Sequence, residues 1–248
     1  MSGSEAVSED RLLGGRLRLK QPEAGYRVAI DPVFLAASVP AEEGHTVLDI
    51  GCGTGAAMLC LAARLPQCRV VGLEMQRELV RLAGDNVILN DMTARASVMI
   101  GDLLRPPPRL SPGSFDHVMA NPPYLERGRA TPPADPARAG ANIEGEADLG
   151  AWVRFALAMA RSKGTVTLIH RADRIDALLA EFAGRAGEIV VFPLWPGKGK
   201  PANRILVRAR KDTAAPARLA AGLVLHEADG RLTALAEAVL RDARALIL

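Results

Sequence analysis

At 248 residues, with 49% hydrophobic and 24% charged side chains, the chain has enough apolar material for one packed domain and little room for a second large one. No apolar run approaches the length of a membrane span and no N-terminal stretch reads as a secretory leader, so the expectation is a cytoplasmic globular protein with no membrane partner, taken as a monomer. A net charge of +3 and a pI near 9.0 suit a polyanionic partner without requiring one, while 4% aromatics are too few for an extended base-stacking platform.

In chain order, residues 1–45 read as an N-terminal extension, 46–211 as the core and 212–248 as a C-terminal appendage of the same single domain. Asp31-Pro32 places a capping residue before a proline, which predicts a short helix starting there. From Thr46 onward, short apolar runs alternate with helical patterns, the form of βαβ units. The runs are Thr46–Ile50, Arg69–Glu74, 97–100, Phe115–Ala120, 165–170, 188–193 and 205–209, giving an α/β fold with a seven-stranded, mostly parallel sheet and helices on both faces. Trp152, Phe155, Ala156 and Met159 recur at helical spacing, as do Ile175, Leu178, Leu179 and Phe182. Residues 125–148, rich in Pro, Gly, Ala and Arg, have no sustained period and read as a long loop. After it the last segment reads as a strand and turn near 226–230, then a helix. Cys52, Cys60 and Cys68 contain no CxxC pair and are odd in number, which argues against disulfides and a zinc site. The histidines, His45, His117, His170 and His226, are dispersed and read as structural.

The chemistry-bearing residues gather at strand ends. Asp49-Ile50-Gly51-Cys52-Gly53-Thr54-Gly55 follows the first strand, where glycines let the backbone turn tightly and approach a ligand. Glu74 ends the second strand, placed to accept hydrogen bonds from ribose hydroxyls, and Asp102 follows the third. Each carboxylate alone could be a turn or cap residue; three in a row at one sheet edge point to a nucleoside site. The Asp-x-Gly-x-Gly-x-Gly spacing differs from the dinucleotide fingerprint, so the expected cofactor carries no phosphate.

Asn121-Pro122-Pro123-Tyr124 directly follows the fourth strand, at the same edge. A planar amino nitrogen is a poor nucleophile because its lone pair is delocalised. The Asn121 oxygen and the Pro122 carbonyl can each accept one N–H, Pro122 and Pro123 stiffen the backbone, and Tyr124 offers a face to a planar group. A proline-rich turn ending a strand is the bland alternative, which the position beside the glycine loop disfavours.

These motifs resemble the class I S-adenosylmethionine-dependent methyltransferases, whose fold is Rossmann-like. The resemblance implies that Asp49, Gly51, Cys52, Gly53, Thr54 and Gly55 flank the methionyl part of S-adenosyl-L-methionine. Glu74 with Met75 would hold the ribose, Asp102 with Leu103 would lie near the adenine, and Asn121 would also border the cofactor. Across the whole chain, Lys20-Gln21, Gly25-Tyr26-Arg27, Ile30-Asp31, Ala202-Asn203-Arg204 and residues 223–226 resemble the bacterial tRNA(Val) adenine-N6 methyltransferase family. That implies N6 methylation of an adenine in RNA, with tRNA as partner. The alternatives are a glutamine-amide N5-methyltransferase of the release-factor type, disfavoured by only about 45 residues ahead of the first strand, an rRNA amino-group methyltransferase, and a binding protein that has lost the chemistry. DNA is disfavoured because no inserted segment is long enough for a target-recognition domain. Arg127, Arg129 and Arg138 in the long loop, and Lys198, Lys200 and Arg204 near the last sheet strand, are the candidate RNA contacts; loop cations are as often simply solvated.

Overall fold

The computed structural model describes residues 6–23, 28–124 and 147–248. Its first element is a hairpin, β1 (Val7–Leu12) and β2 (Leu17–Pro22), paired antiparallel through a tight turn in which Gly14 and Gly15 adopt φ of 65° and 92°. On β2 the buried positions alternate, Leu17, Leu19 and Gln21, so one face of the hairpin lies on the core. The helix α1 (Asp31–Ser38) follows, starting where Asp31-Pro32 predicts. Asp31 is not its cap, however: Ile30 occupies the cap position without a side-chain hydrogen bond, and the Asp31 carboxylate is used by residues far along the chain.

The main sheet contains β3 (Thr46–Ile50), β4 (Arg69–Glu74), β5 (Ala96–Ile100), β6 (Phe115–Ala120), β7 (Ala160–Arg171), β8 (Ala186–Gly197) and β9 (Arg204–Lys211) in the order β5-β4-β3-β6-β7-β9-β8. All seven runs read from the sequence are strands. The short strands β10 (Arg218–Leu219) and β11 (Leu223–His226) add to the outer edge of β8. Pairing is parallel except at β9, which runs antiparallel to β7 and β8. β7 and β8 each exceed the predicted length: β7 gains the polar stretch Arg161–Gly164 ahead of its apolar centre, and β8 continues through Leu194–Gly197, which still pairs with β11.

Helices α2 (Ala56–Arg64), α3 (Arg77–Leu89), α4 (Leu149–Met159), α5 (Ile175–Phe182) and α6 (Ala234–Asp242) complete the described residues. The core divides by strand alternation. Val47, Met119 and Ile169 face Phe34, Met58, Leu59 and Val239 of α1, α2 and α6. Leu48, Ile50, Val118, Ala120, Val166 and Leu168 face Phe155, Met159, Leu178 and Phe182 of α4 and α5. Helices therefore cover both faces, as parallel strands buried on two sides require. Among the described residues no helix is long and apolar enough to cross a membrane.

The strand order reverses between β3 and β6: β4 and β5 build outward from one side, β7 and its successors from the other. In open α/β sheets this switch point leaves a crevice at the carboxyl ends of the two central strands. Ile50 pairs with Ala120, so the residues after β3 and after β6 leave the sheet side by side.

Candidate active site

The segment after β3 is a glycine turn by backbone necessity. Gly51, Gly53 and Gly55 have φ of 66°, 57° and 89°, a region where a Cβ is strained. The Gly51 and Cys52 N–H groups donate to the Leu73 carbonyl at 2.8 and 3.1 Å, fastening the turn to β4. Asn86 of α3, fully buried, donates to the Thr54 carbonyl and to the Lys20 carbonyl, and accepts from the Lys20 N–H, so one carboxamide ties the turn, the helix and the hairpin together. Nothing lies within 4 Å of a Cβ built on Gly53, whereas one on Gly51 meets the Trp152 indole.

Two buried carboxylates stand beside this turn. Asp49 accepts from the Met58 N–H in the first turn of α2 at 3.1 Å. Burial pushes its carboxyl up to about 8, with the neighbouring Glu74 charge adding to the rise and the Met58 N–H opposing it. Glu74 spans the turn, accepting from Gly53 N–H at 3.0 Å and from Gln76 N–H at 2.9 Å. Strand alternation puts Asp49, Glu74 and Asn121 on the α2 face of the sheet, with Val47 and Met119 as the face markers. Asp102, beyond the end of β5, accepts from Leu104 N–H and pairs with Arg105 at 3.2 Å. Around these carboxylates Met75, Ile100 and Leu104 are 65%, 45% and 43% exposed. Open glycine backbone, carboxylates at successive strand ends and bare apolar side chains suit a nucleoside with a cationic tail, so the residues present fit S-adenosylmethionine. Cys52 lies beside Asp49 and Glu74; burial, with both charges, holds its thiol protonated, which makes it no nucleophile.

Asn121-Pro122-Pro123-Tyr124 leaves β6 across from the turn. Tyr124 Oη lies 2.6 Å from Asp31 Oδ2 and 2.7 Å from Asn121 Oδ1. Arg204, the first residue of β9, donates from Nε to the same Asp31 oxygen at 2.9 Å, and its guanidinium carbon stands 4.5 Å from the Tyr124 ring centroid. Its expected place on an RNA surface therefore coexists with a structural engagement that no local spacing signals. His170, fully buried at the end of β7, meets the same ring edge-on at 5.6 Å. Burial, assisted by the Arg174 charge, lowers the imidazole to about 4 against the opposing pull of the Pro123 and Arg171 backbone, so it is neutral near pH 7.

The antiparallel course of β9 decides what else is near. Arg204 pairs with Arg171 at the carboxyl end of β7, and the exposed Lys198 and Lys200 lie in the turn just after β8, so both lysines are at the sheet edge where Asn121–Tyr124 leaves β6. Arg127, Arg129, Arg138 and Gly25-Tyr26-Arg27 lie outside the described residues. Asp31, Asn86 and Trp152 are site-forming residues whose roles the sequence reading missed; each acts across the fold, and only Asp31 carried a signal, its place in the family-specific Ile30-Asp31 pair.

The methyltransferase small domain family matches residues 27–134. The tRNA1(Val) (adenine(37)-N6)-methyltransferase of Aeromonas hydrophila is 28% identical over 208 residues, 82% of this chain and 84% of that protein. The enzyme of the same name from Yersinia pestis is 28% identical over 213 residues, covering 83% and 84%. Among solved structures, a predicted O-methyltransferase from Agrobacterium tumefaciens superposes with a TM-score of 0.74 at 26% identity, covering 88% of this chain and 99% of that one. Geranyl diphosphate C-methyltransferase from Streptomyces coelicolor, solved with S-adenosyl-L-homocysteine, shares the fold at TM-score 0.53 and 13% identity, over 73% and 77% of the two chains.

Proposed function

Because this chain is an S-adenosylmethionine-dependent methyltransferase of class I fold, we propose that it methylates the exocyclic N6 amino group of an adenine in tRNA, in the cytoplasm. The carrying observation is the pairing of Ile50 with Ala120, which brings the glycine turn and Asn121–Tyr124 out of the sheet side by side. The relatives named as tRNA adenine-N6 enzymes match over more than four-fifths of the chain, and that name supports tRNA over other acceptors.

In this reading Asp49 and the Gly51–Gly55 backbone hold the methionyl part of the cofactor, Glu74 and Met75 the ribose, and Asp102 and Leu103 the adenine side. The bound cofactor supplies an electrophilic methyl carbon on a sulfonium. The chain's task is then to present the acceptor nitrogen with its lone pair directed at that carbon. The Asn121 carbonyl oxygen and the Pro122 carbonyl accept the two N–H groups, which draws the lone pair out of conjugation with the ring as the N–C bond forms and the sulfur–methyl bond breaks; the methylated nitrogen then gives up one of these protons to solvent. Tyr124 stacks the base, and Pro122 and Pro123 remove backbone freedom from the positioning groups. Lys198 and Lys200, with Arg127, Arg129 and Arg138, contact phosphates.

The test is mass spectrometry of nucleosides from tRNA and rRNA of a deletion strain against its parent. Loss of N6-methyladenosine from one tRNA, restored by the gene and not by its Asn121→Ala variant, is the expected result. Unchanged RNA nucleosides with loss of a methylated protein glutamine would move the function to the amide-methylating class.

A further inference from the structure

Asp31, Tyr124 and Asn121 form a hydrogen-bond chain with a proton-counting constraint. A phenol has one proton, yet Tyr124 Oη is within donating distance of Asp31 Oδ2 at 2.6 Å and Asn121 Oδ1 at 2.7 Å. The two acceptors are unequal. Asp31 is a carboxylate with a side chain 9% exposed, paired with the Arg204 guanidinium at 2.9 Å, and 2.6 Å is the length of a charge-assisted O–H···O bond. A neutral carboxamide oxygen competes poorly with it.

Once the proton points to Asp31, an Asn121 oxygen facing Tyr124 would set two lone-pair-bearing oxygens 2.7 Å apart with no hydrogen between them. A half-turn about the Asn121 Cβ–Cγ bond replaces that contact with N–H···O donation to the phenol and directs the carbonyl oxygen elsewhere. The same rotation leaves that oxygen for an acceptor N–H, the orientation that the chemistry of a delocalised amine needs.

We propose that Asp31, anchored by Arg204, accepts the Tyr124 O–H hydrogen bond and thereby sets which end of the Asn121 carboxamide faces the methyl acceptor. Asp31 and Arg204 are positioning residues that act on the acceptor through Tyr124 and Asn121. Arg204 has a second part in the arrangement: stacked against the Tyr124 ring, with its guanidinium carbon 4.5 Å from the ring centroid, it fixes the ring plane. The inference rests on Asn121–Tyr124 being the acceptor motif and holds for a base amine and a protein amide alike.

Two measurements test it. The first needs no acceptor: the side-chain amide of Asn121 is followed by 1H–15N NMR in the full chain, assigned by its disappearance in Asn121→Asp. Donation to the phenol predicts slowed hydrogen exchange of one amide proton, lost in both Tyr124→Phe and Asp31→Asn. An Asn121 amide insensitive to both substitutions overturns the proposal. The second is a double-mutant cycle in tRNA methylation at saturating cofactor. Asp31→Asn lowers kcat by about tenfold or more with cofactor Kd within about twofold, and loses most of that effect in a Tyr124→Phe background, because coupled residues are non-additive. Equal losses in both backgrounds mean that Asp31 only stabilises the fold, and the proposal fails. Full turnover by Asn121→Ala would instead remove the acceptor-motif reading, a result separate from either outcome of the NMR experiment.

Discussion

The indole of Trp152 occupies the space that a side chain at position 51 would need: a Cβ on Gly51 would come within 2.5 Å of Trp152 Cη2. Helix α4 thus presses an aromatic edge onto the backbone of the glycine turn, and glycine is demanded twice there, by this contact and by its φ of 66°. Gly51→Ala should lower stability by about 1–3 kcal/mol and weaken cofactor binding, since the indole and the turn must both shift. Trp152→Leu should recover only the steric part, leaving about 1 kcal/mol from the left-handed backbone. Thermal unfolding with and without cofactor reads both quantities. An unaltered melting temperature for Gly51→Ala would contradict the contact.

Asp49 gives cofactor binding a pH dependence with a definite sign. Its carboxyl is raised to about 8 by burial, so in the free protein it is protonated over most of the neutral range. In the proposed arrangement the sulfonium lies beside it and favours the carboxylate, so binding should release a proton below pH 8, and affinity should rise with pH up to about 8 and level off above. Calorimetry in buffers of different ionisation heat should detect that proton at pH 7 in the wild type and less of it in Asp49→Asn. Identical proton release in the two proteins would separate Asp49 from the cofactor.

Glu74 and Asn121 should divide binding from turnover. Glu74→Ala removes the acceptor of Gly53 and Gln76 N–H as well as the proposed ribose contact, and should cost cofactor binding on the order of 1–3 kcal/mol. Asn121→Ala should leave cofactor Kd within about threefold and reduce kcat by at least about a hundredfold, since the proposed contact of its oxygen is to the acceptor in the transition state. The reverse pattern, with Asn121→Ala losing cofactor and Glu74→Ala losing only kcat, would exchange the two assignments.

For Lys198 and Lys200 the informative quantity is salt dependence. Each phosphate contact contributes just under one unit to the slope of log affinity against log salt. The Lys198→Ala/Lys200→Ala protein should bind tRNA with a slope shallower by roughly one to two units, with its cofactor affinity intact. Parallel lines for variant and wild type would exclude this turn from the RNA surface.

His170 makes the fold acid-sensitive. Its imidazole titrates near 4 in the folded chain against 6.5 ordinarily, as does that of the buried His117, so the unfolded chain binds more protons between these values. Stability is therefore full above about pH 6.5 and falls as the pH drops towards 4, by roughly 2–3 kcal/mol for each histidine. His170→Leu should flatten the pH dependence of the denaturant midpoint in that window. A slope equal to the wild type would show that His170 does not carry it.

The sheet was legible because its strands are apolar on both faces and punctuated by Gly, Pro and Asp; β3 to β9 were each readable from composition within a short window. The β1–β2 hairpin was not, because Val7–Leu12 is half charged and none of it is buried, and only the alternating burial of Leu17, Leu19 and Gln21 gives it a core face. Likewise Asp49, Glu74 and Asn121 could be found from their places at strand ends. The Asp31–Tyr124–Arg204 contact could not, since it joins α1, the end of β6 and the start of β9, and local rules suggested that Asp31 caps its own helix. Spacing along a chain reports periodic structure; it carries no information about which distant carboxylate the half-buried Arg204 will meet.

The reversed direction of β9 has a consequence for the order of biosynthesis. Asp31 and Arg204 are 173 residues apart, and at about 5–20 residues per second the ribosome needs on the order of 10–30 seconds to travel from one to the other. During that interval the nascent chain has already made the glycine turn and the Asn-Pro-Pro-Tyr segment, but the Asp31 carboxylate has no guanidinium to meet, and the strand that will deliver it must still insert between β7 and β8. The proposed acceptor site therefore depends on one of the last sheet strands to be synthesised, and a partly synthesised chain that has the whole glycine turn still lacks the arginine that holds Asp31 beside Tyr124.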